Sequence, residues 1–193
     1  MFSAFLFYNT KNQSFISIFD IQPKQLYIME MNFYIFLIAA IVPMLIGFIW
    51  YGPLFGNAWM KQMGFTKESL EGTNMVKTLI ICYILSVLIA FALMPMVIHQ
   101  MGVYSTLAGD PGFNEQTGEA YSYFENFVAT YSDRFRTFGH GAFHGVLFGL
   151  FLIMPILGIQ AMFEKKSFKY VAINAGYWIL TLAIMGGIIC KWI

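Results

Sequence analysis

Residues 138–162 read Phe-Gly-His-Gly-Ala-Phe-His-Gly-Val-Leu-Phe-Gly-Leu-Phe-Leu-Ile-Met-Pro-Ile-Leu-Gly-Ile-Gln-Ala-Met. The stretch holds no Asp, Glu, Lys or Arg, and its markedly polar members are His140, His144 and Gln160. About 20 mostly apolar residues suffice to cross a bilayer's hydrocarbon core as a helix, so this segment is read as a transmembrane span. Gly141, Gly145 and Gly149 recur at four-residue steps and therefore lie along one helix face, a smooth groove for a neighbouring helix. Pro155 removes a backbone donor inside the span and is expected to kink it.

Three other stretches have the same character: residues 33–52, 78–98 and 170–190. The whole chain agrees with them. Of its 193 residues, 59% are hydrophobic and only 11% charged, against about 25% charged in soluble domains. The 21 Phe, 11 Tyr and 4 Trp exclude a disordered chain. A net charge of +1 offers no field for nucleic acid. The expected fold class is all-α: a polytopic bundle of four transmembrane helices spanning residues 31–193, with the lipid bilayer as its surroundings.

Loop charge orients the bundle. Lys61, Lys67 and Lys77 lie between the first two spans, and Lys165, Lys166 and Lys169 in the short loop between the last two. The long loop between spans two and three carries Asp110, Glu115, Glu119, Glu125 and Asp133 against Arg134 and Arg136. The lysine loops are thus expected in the cytoplasm of a bacterial inner membrane, with the long loop and both termini outside. Residues 1–30 include Lys11 and Lys24 and no recognisable cleavage site. A translation start at Met31, or at Met29, would leave almost nothing to translocate ahead of the first span. The other reading is a peripheral tail.

Within the long loop, Gly109-Asp110-Pro111-Gly112 is turn chemistry. Beyond it, Tyr121, Phe124, Val128, Tyr131 and Phe135 fall at helical spacing. An amphipathic helix is therefore expected over 119–136, capping the bundle, lying in the interface or presenting a partner surface. Glu119 at its start and Arg134 and Arg136 at its end suit the helix dipole.

Further packing signals are Ala172 with Gly176, Ala183 with Gly187, and Ala39, Pro43 and Gly47; Pro43 is also expected to kink its span. These faces are read first as packing within the bundle and second as a route to a homo-oligomer. Trp50, Tyr51 and Trp59 are candidate interface anchors. Gly52-Pro53 is expected to stop the first span, and residues 54–63 to form a short surface helix. A ligand-binding elbow is the alternative for that segment. Cys82 and Cys190 sit near opposite membrane faces, too far apart for a disulfide, and are read as small apolar residues.

The segment Gly47-Phe48-Ile49-Trp50-Tyr51-Gly52-Pro53-Leu54-Phe55-Gly56-Asn57-Ala58-Trp59-Met60-Lys61-Gln62-Met63 resembles the signature of the bacterial membrane family known as domain of unknown function 1761. His140-Gly141-Ala142-Phe143-His144-Gly145, Phe163-Glu164-Lys165-Lys166, Gly176-Tyr177-Trp178 and Met185-Gly186-Gly187 resemble that family's second half, and Val97–Gly102 is similar to its Bacteroidota-type members. The resemblance covers Met31–Ile193. It implies four spans and an N-terminus near Met31, and it brings no activity.

One constellation carries chemistry. His99 closes the second span, while His140 and His144 open the third on one face, so all three belong to the same membrane side. Such imidazoles are candidate metal ligands for zinc, copper or iron, or an axial pair for haem. A structural role, with hydrogen bonds to a carbonyl or to Asn174, is the competing reading. No HExxH glutamate, phosphate loop, nucleophile elbow or cysteine cluster is present, so no catalytic residues are assigned. Charged residues are absent mid-span, which disfavours a proton-driven pump. The readings left open are a metal- or small-ligand-binding module, an oligomeric transporter or channel component with Ser86, Asn174 and Thr181 as its polar residues, and an assembly protein with an unidentified protein partner.

Overall fold

A computed structural model describes Asn32–Ile193 apart from residues 67, 71 and 73. The expectations about a start at Met31 or Met29, and about the tail, fall outside the described residues. Within them the chain is all-α. Four helices are long and apolar enough to cross a membrane: α1 (Tyr34–Leu54), α3 (Met75–Val97), α6 (Phe138–Phe163) and α7 (Phe168–Trp192). Three shorter helices join them: α2 (Gly56–Met63), α4 (Gln100–Leu107) and α5 (Gly118–Tyr131).

Helix ends follow local chemistry. Asn74, Thr137 and Ser167 cap α3, α6 and α7, their side-chain oxygens accepting from the N–H groups of Lys77, His140 and Tyr170. Gly64 ends α2 in the left-handed conformation, φ 75°. The prolines set the interruptions. Ahead of Pro43, the N–H of Ile41 reaches back only three residues, to Ile38, and α1 breaks between Ala39 and Val42. Pro155 begins a fresh α-helical segment directly after a widened π stretch, Gly149–Ile153. Gly52-Pro53 does not stop α1 as expected. The helix widens over Trp50–Leu54, with the N–H of Phe55 bonded five residues back to Trp50, and so accommodates the missing donor of Pro53. The surface helix accordingly starts at Gly56. Pro95 lies inside α3 near its end, and the chain leaves that helix at Ile98 in an extended conformation.

In lipid no hydrophobic force draws apolar helices together, so close contact and polar ties must. The fourth span is the hub: its hydropathic window is 61% buried, against 33%, 22% and 11% for the other three in chain order. Thr181, Met185, Ile189 and Cys190 of α7 are fully enclosed. The tightest seam is α6 on α7. A Cβ at Gly141 would overlap the backbone of Gly186, one at Gly145 the carbonyl of Leu182, and one at Gly149 would come within 2.7 Å of the Cα of Ile179. Gly186 presses back on the carbonyl of Gly141. Gly187 lies against the Phe138 ring and Gly176 against the Trp50 indole. The glycine faces are thus occupied within one chain.

On the other side of α7, Tyr177 donates to the carbonyl of Pro43 (2.9 Å) and Trp50 to that of Ile173 (2.9 Å). Tyr51 donates to Asn174 (2.9 Å), whose amide returns to Tyr170. Trp50 and Tyr51, expected as interface anchors, therefore direct their polar atoms at α7. Trp59 of α2 lies edge-on to Tyr51 at 5.4 Å. Phe36 stacks on Phe91 at 4.2 Å and joins α1 to α3. The outward faces are apolar, with Phe48 at 80% and Phe151 at 71% exposure, as lipid contact requires.

The long loop builds a small cap from α4 and α5. Tyr104, Phe113, Tyr121 and Phe124 form its aromatic centre, with ring centroids 5.5–6.0 Å apart. Burial first, and Glu125 second, raise the Tyr121 phenol above its ordinary pKa. Gly112 turns the chain with φ 80°, where a Cβ would strike Thr117. Helix α4 was not expected. Helix α5 ends at Tyr131, five residues before the expected 136, because Phe135 adopts φ 64° and turns the chain toward α6. Arg134 and Arg136 thus lie beyond the helix rather than in its last turn.

Gly145→Leu should destabilise the protein by about 1–3 kcal/mol, because its side chain has no room against Leu182. Gly158→Ala, whose Cβ meets nothing within 4 Å, should be neutral or stabilising. Thermal unfolding in detergent measures both, and equal losses would refute the assigned seam.

Candidate metal centre

The register of α6 on α7 fixes where the third span begins, and with it the site. Cys190, near the end of α7, is the junction. Its thiol lies 3.2 Å from the carbonyl of Val97, at the end of α3, and 3.3 Å from that of Phe135, just ahead of α6. Its own carbonyl accepts from Nε of Arg136 at 2.8 Å. Read as a merely apolar residue, Cys190 instead ties the two segments that carry the histidines. Burial pulls the ionisation of Arg136 below the ordinary guanidinium value, while Asp133 acts the other way. Cys82 is exposed on α3, and both cysteines are free.

Gln100 fastens the cap beside this junction. The two N–H bonds of its amide Nε2 are shared among the carbonyls of Tyr131 (2.7 Å), Ser132 (3.2 Å) and Arg134 (3.0 Å), just where α5 ends. The side-chain amide thereby sets the path from α5 into Phe135 and α6. Gln100 was not singled out from sequence, and Cys190 was read there only as a small apolar residue. The signal was faint: a polar residue directly after His99, and a sulfur near the end of an apolar helix.

The three histidines meet here. Nε2 of His140 lies 2.9 Å from Nε2 of His99. His99 and His140 have ring centroids 4.9 Å apart, His99 and His144 also 4.9 Å, and His140 and His144 4.6 Å. One nitrogen from each falls within 4.8 Å of the other two. His140 and His144 share a face of α6, whereas His99 comes from the turn between α3 and α4, 41 positions away. Phe135 stacks on His140 at 5.0 Å and Phe143 meets His144 edge-on at 5.7 Å. Asn174, the partner expected under a structural reading, belongs to the opposite end of α7 and bonds Tyr51. Among the described residues the histidines find each other rather than backbone carbonyls.

This donor set suits a small ion. Tetrahedral zinc with Zn–N bonds of about 2.0–2.1 Å places its nitrogens about 3.3 Å apart. The His99–His140 pair at 2.9 Å is close to that spacing, and all three ligating atoms lie within 4.8 Å of one another. Axial haem ligation does not fit. It needs two imidazoles on opposite sides of a porphyrin, and rings edge to face at 4.6–4.9 Å leave no slot for the macrocycle.

Gln100→Ala should speed amide exchange in the last turn of α5 and cost about 1–3 kcal/mol locally. Gln100→Glu should do more harm at neutral pH, since a carboxylate would face three carbonyls, and should recover toward the alanine variant on acidification. Exchange measured across α5 checks both, and indistinguishable rates in the wild type and both variants would exclude the role given to Gln100.

Comparison with curated proteins finds no match, and comparison with solved structures finds none. A family profile described as Protein of unknown function (DUF1761) matches residues 34–190, most of the described bundle together with the metal-ligating candidates. On that match the chain belongs to this family of proteins of unknown function.

Proposed function

We propose that the protein is a membrane-embedded metal-binding module that holds a first-row transition-metal ion through His99, His140 and His144. One observation carries the reading: three imidazoles from two distant chain segments converge with their ligating nitrogens within 4.8 Å. Two histidines one helical turn apart are common enough. A third, delivered from the turn after α3, between Val97, whose carbonyl the Cys190 thiol meets, and Gln100, whose amide bonds the end of α5, supports a built site.

The distribution of lysines supports an orientation for it. Lys61 and Lys77 flank the α1–α3 connection, and Lys165, Lys166 and Lys169 the α6–α7 turn, at the end of the bundle away from the histidines. Under the positive-inside rule those turns face the cytoplasm of a bacterial inner membrane. The metal site then faces outward, beneath the acidic cap. Of the polar residues expected for a conducting path, Ser86 and Asn174 are tied within the protein. Ser86 bonds back to the carbonyl of Cys82 and Asn174 to that of Tyr170, while Thr181 is enclosed. This favours the binding module over a channel component.

Metal analysis of protein purified in mild detergent, followed by zinc and copper titrations, tests the reading. One ion per chain is expected. His99→Ala, His140→Ala and His144→Ala should each weaken binding at least tenfold with thermal stability little changed. Affinity should fall as the pH drops through the histidine range, because a protonated imidazole cannot ligate. Wild-type affinity retained in all three variants would overturn the proposal.

A further inference from the structure

The composition of the site says what else it binds. Its protein ligands stop at three. The chain has three histidines, all of them in the cluster. The thiol of Cys190 is turned to the carbonyls of Val97 and Phe135. Cys82 lies fifteen helical residues before Val97, about 22 Å along α3. Among the described residues no carboxylate joins the group. Zinc, cobalt and copper take four or more ligands, and sites with three protein ligands keep the remaining positions for exogenous groups.

Charge selects the kind of group. Three neutral imidazoles leave both charges of a divalent ion uncompensated by the protein ligands. Phe135, stacked on His140 at 5.0 Å, also lies 5.7 Å from the guanidinium of Arg134. Arg136 is bonded to the carbonyl of Cys190, with Asp133 acting on it. A divalent ion held by neutral imidazoles favours an incoming ligand that brings negative charge, and Arg134 against the Phe135 ring adds to that preference. His99 is exposed, so the group has a path from solvent.

We infer that the metal carried by His99, His140 and His144 takes a small exogenous anion as its next ligand, making the centre an open, anion-accepting site rather than a closed structural one. This rests on the metal-binding reading above. In the exchange, the anion displaces a solvent-derived ligand from the metal and no protein ligand leaves.

The test uses the full chain in detergent loaded with one equivalent of Cu²⁺, with azide as the probe. A copper electron-paramagnetic-resonance signal showing nitrogen coupling reports the metal alone. Azide should then produce a saturable azide-to-copper charge-transfer absorption and shift that signal. In Arg134→Gln, copper binding should be unchanged and the azide Kd roughly threefold weaker. Copper held by nitrogen with no azide band overturns the open-site inference and leaves the metal reading standing. No nitrogen-coupled copper signal overturns both. An unaltered azide Kd in Arg134→Gln overturns the electrostatic selection of the anion.

Discussion

Everything at the histidine end depends on how closely α6 can approach α7. Gly141, Gly145 and Gly149 bring the third span down onto the backbone of the fourth, so that the contact is backbone against backbone. In a medium as apolar as the helices, such proximity is what makes van der Waals attraction sufficient for association. It also fixes register, because Gly141 and Gly186 exclude a side chain at each other's position. With that register set, His140 and His144 lie at the level of Cys190, and the carbonyl of Val97 lies within reach of its sulfur. His99, two residues beyond Val97, is thereby delivered to the same place.

The two ends of the bundle use polar groups differently. At the lysine end, Trp50, Tyr51, Asn174 and Tyr177 close on one another and on backbone carbonyls, and those donors all find acceptors within the protein. At the histidine end, Gln100, Arg136 and Cys190 bond the backbone and so release the imidazoles from structural duty. Among the described residues His99 and His140 hydrogen-bond each other, and the imidazoles pack against Phe135 and Phe143. This division of labour separates a scaffold from a site in a chain with few polar residues.

Much of this was legible in the sequence. Apolar length marked the four spans, and the four-residue glycine step marked the seam of α6, because both signals are local. The clustering of three histidines at one membrane face followed from topology alone. Contacts between distant segments were not legible. Gly186, one position from the expected Gly187, is the residue that meets Gly141, since helix rotation is set by packing. The continuation of α1 through Gly52-Pro53 was hidden because a π turn tolerates what an α turn does not. The early end of α5 rests on Phe135 at positive φ, a conformation its side chain does not advertise. Cys190 and Gln100 act through backbone carbonyls, which carry no sequence signal.

The central claim is that three imidazoles from two segments converge on one ion, and X-ray absorption at the zinc edge of the zinc-loaded protein addresses it directly. The account predicts three imidazole ligands at about 2.0 Å, seen by their outer-shell scattering, with one further light atom completing a tetrahedron. A first shell of oxygen with one imidazole or none, or any sulfur ligand, would contradict it.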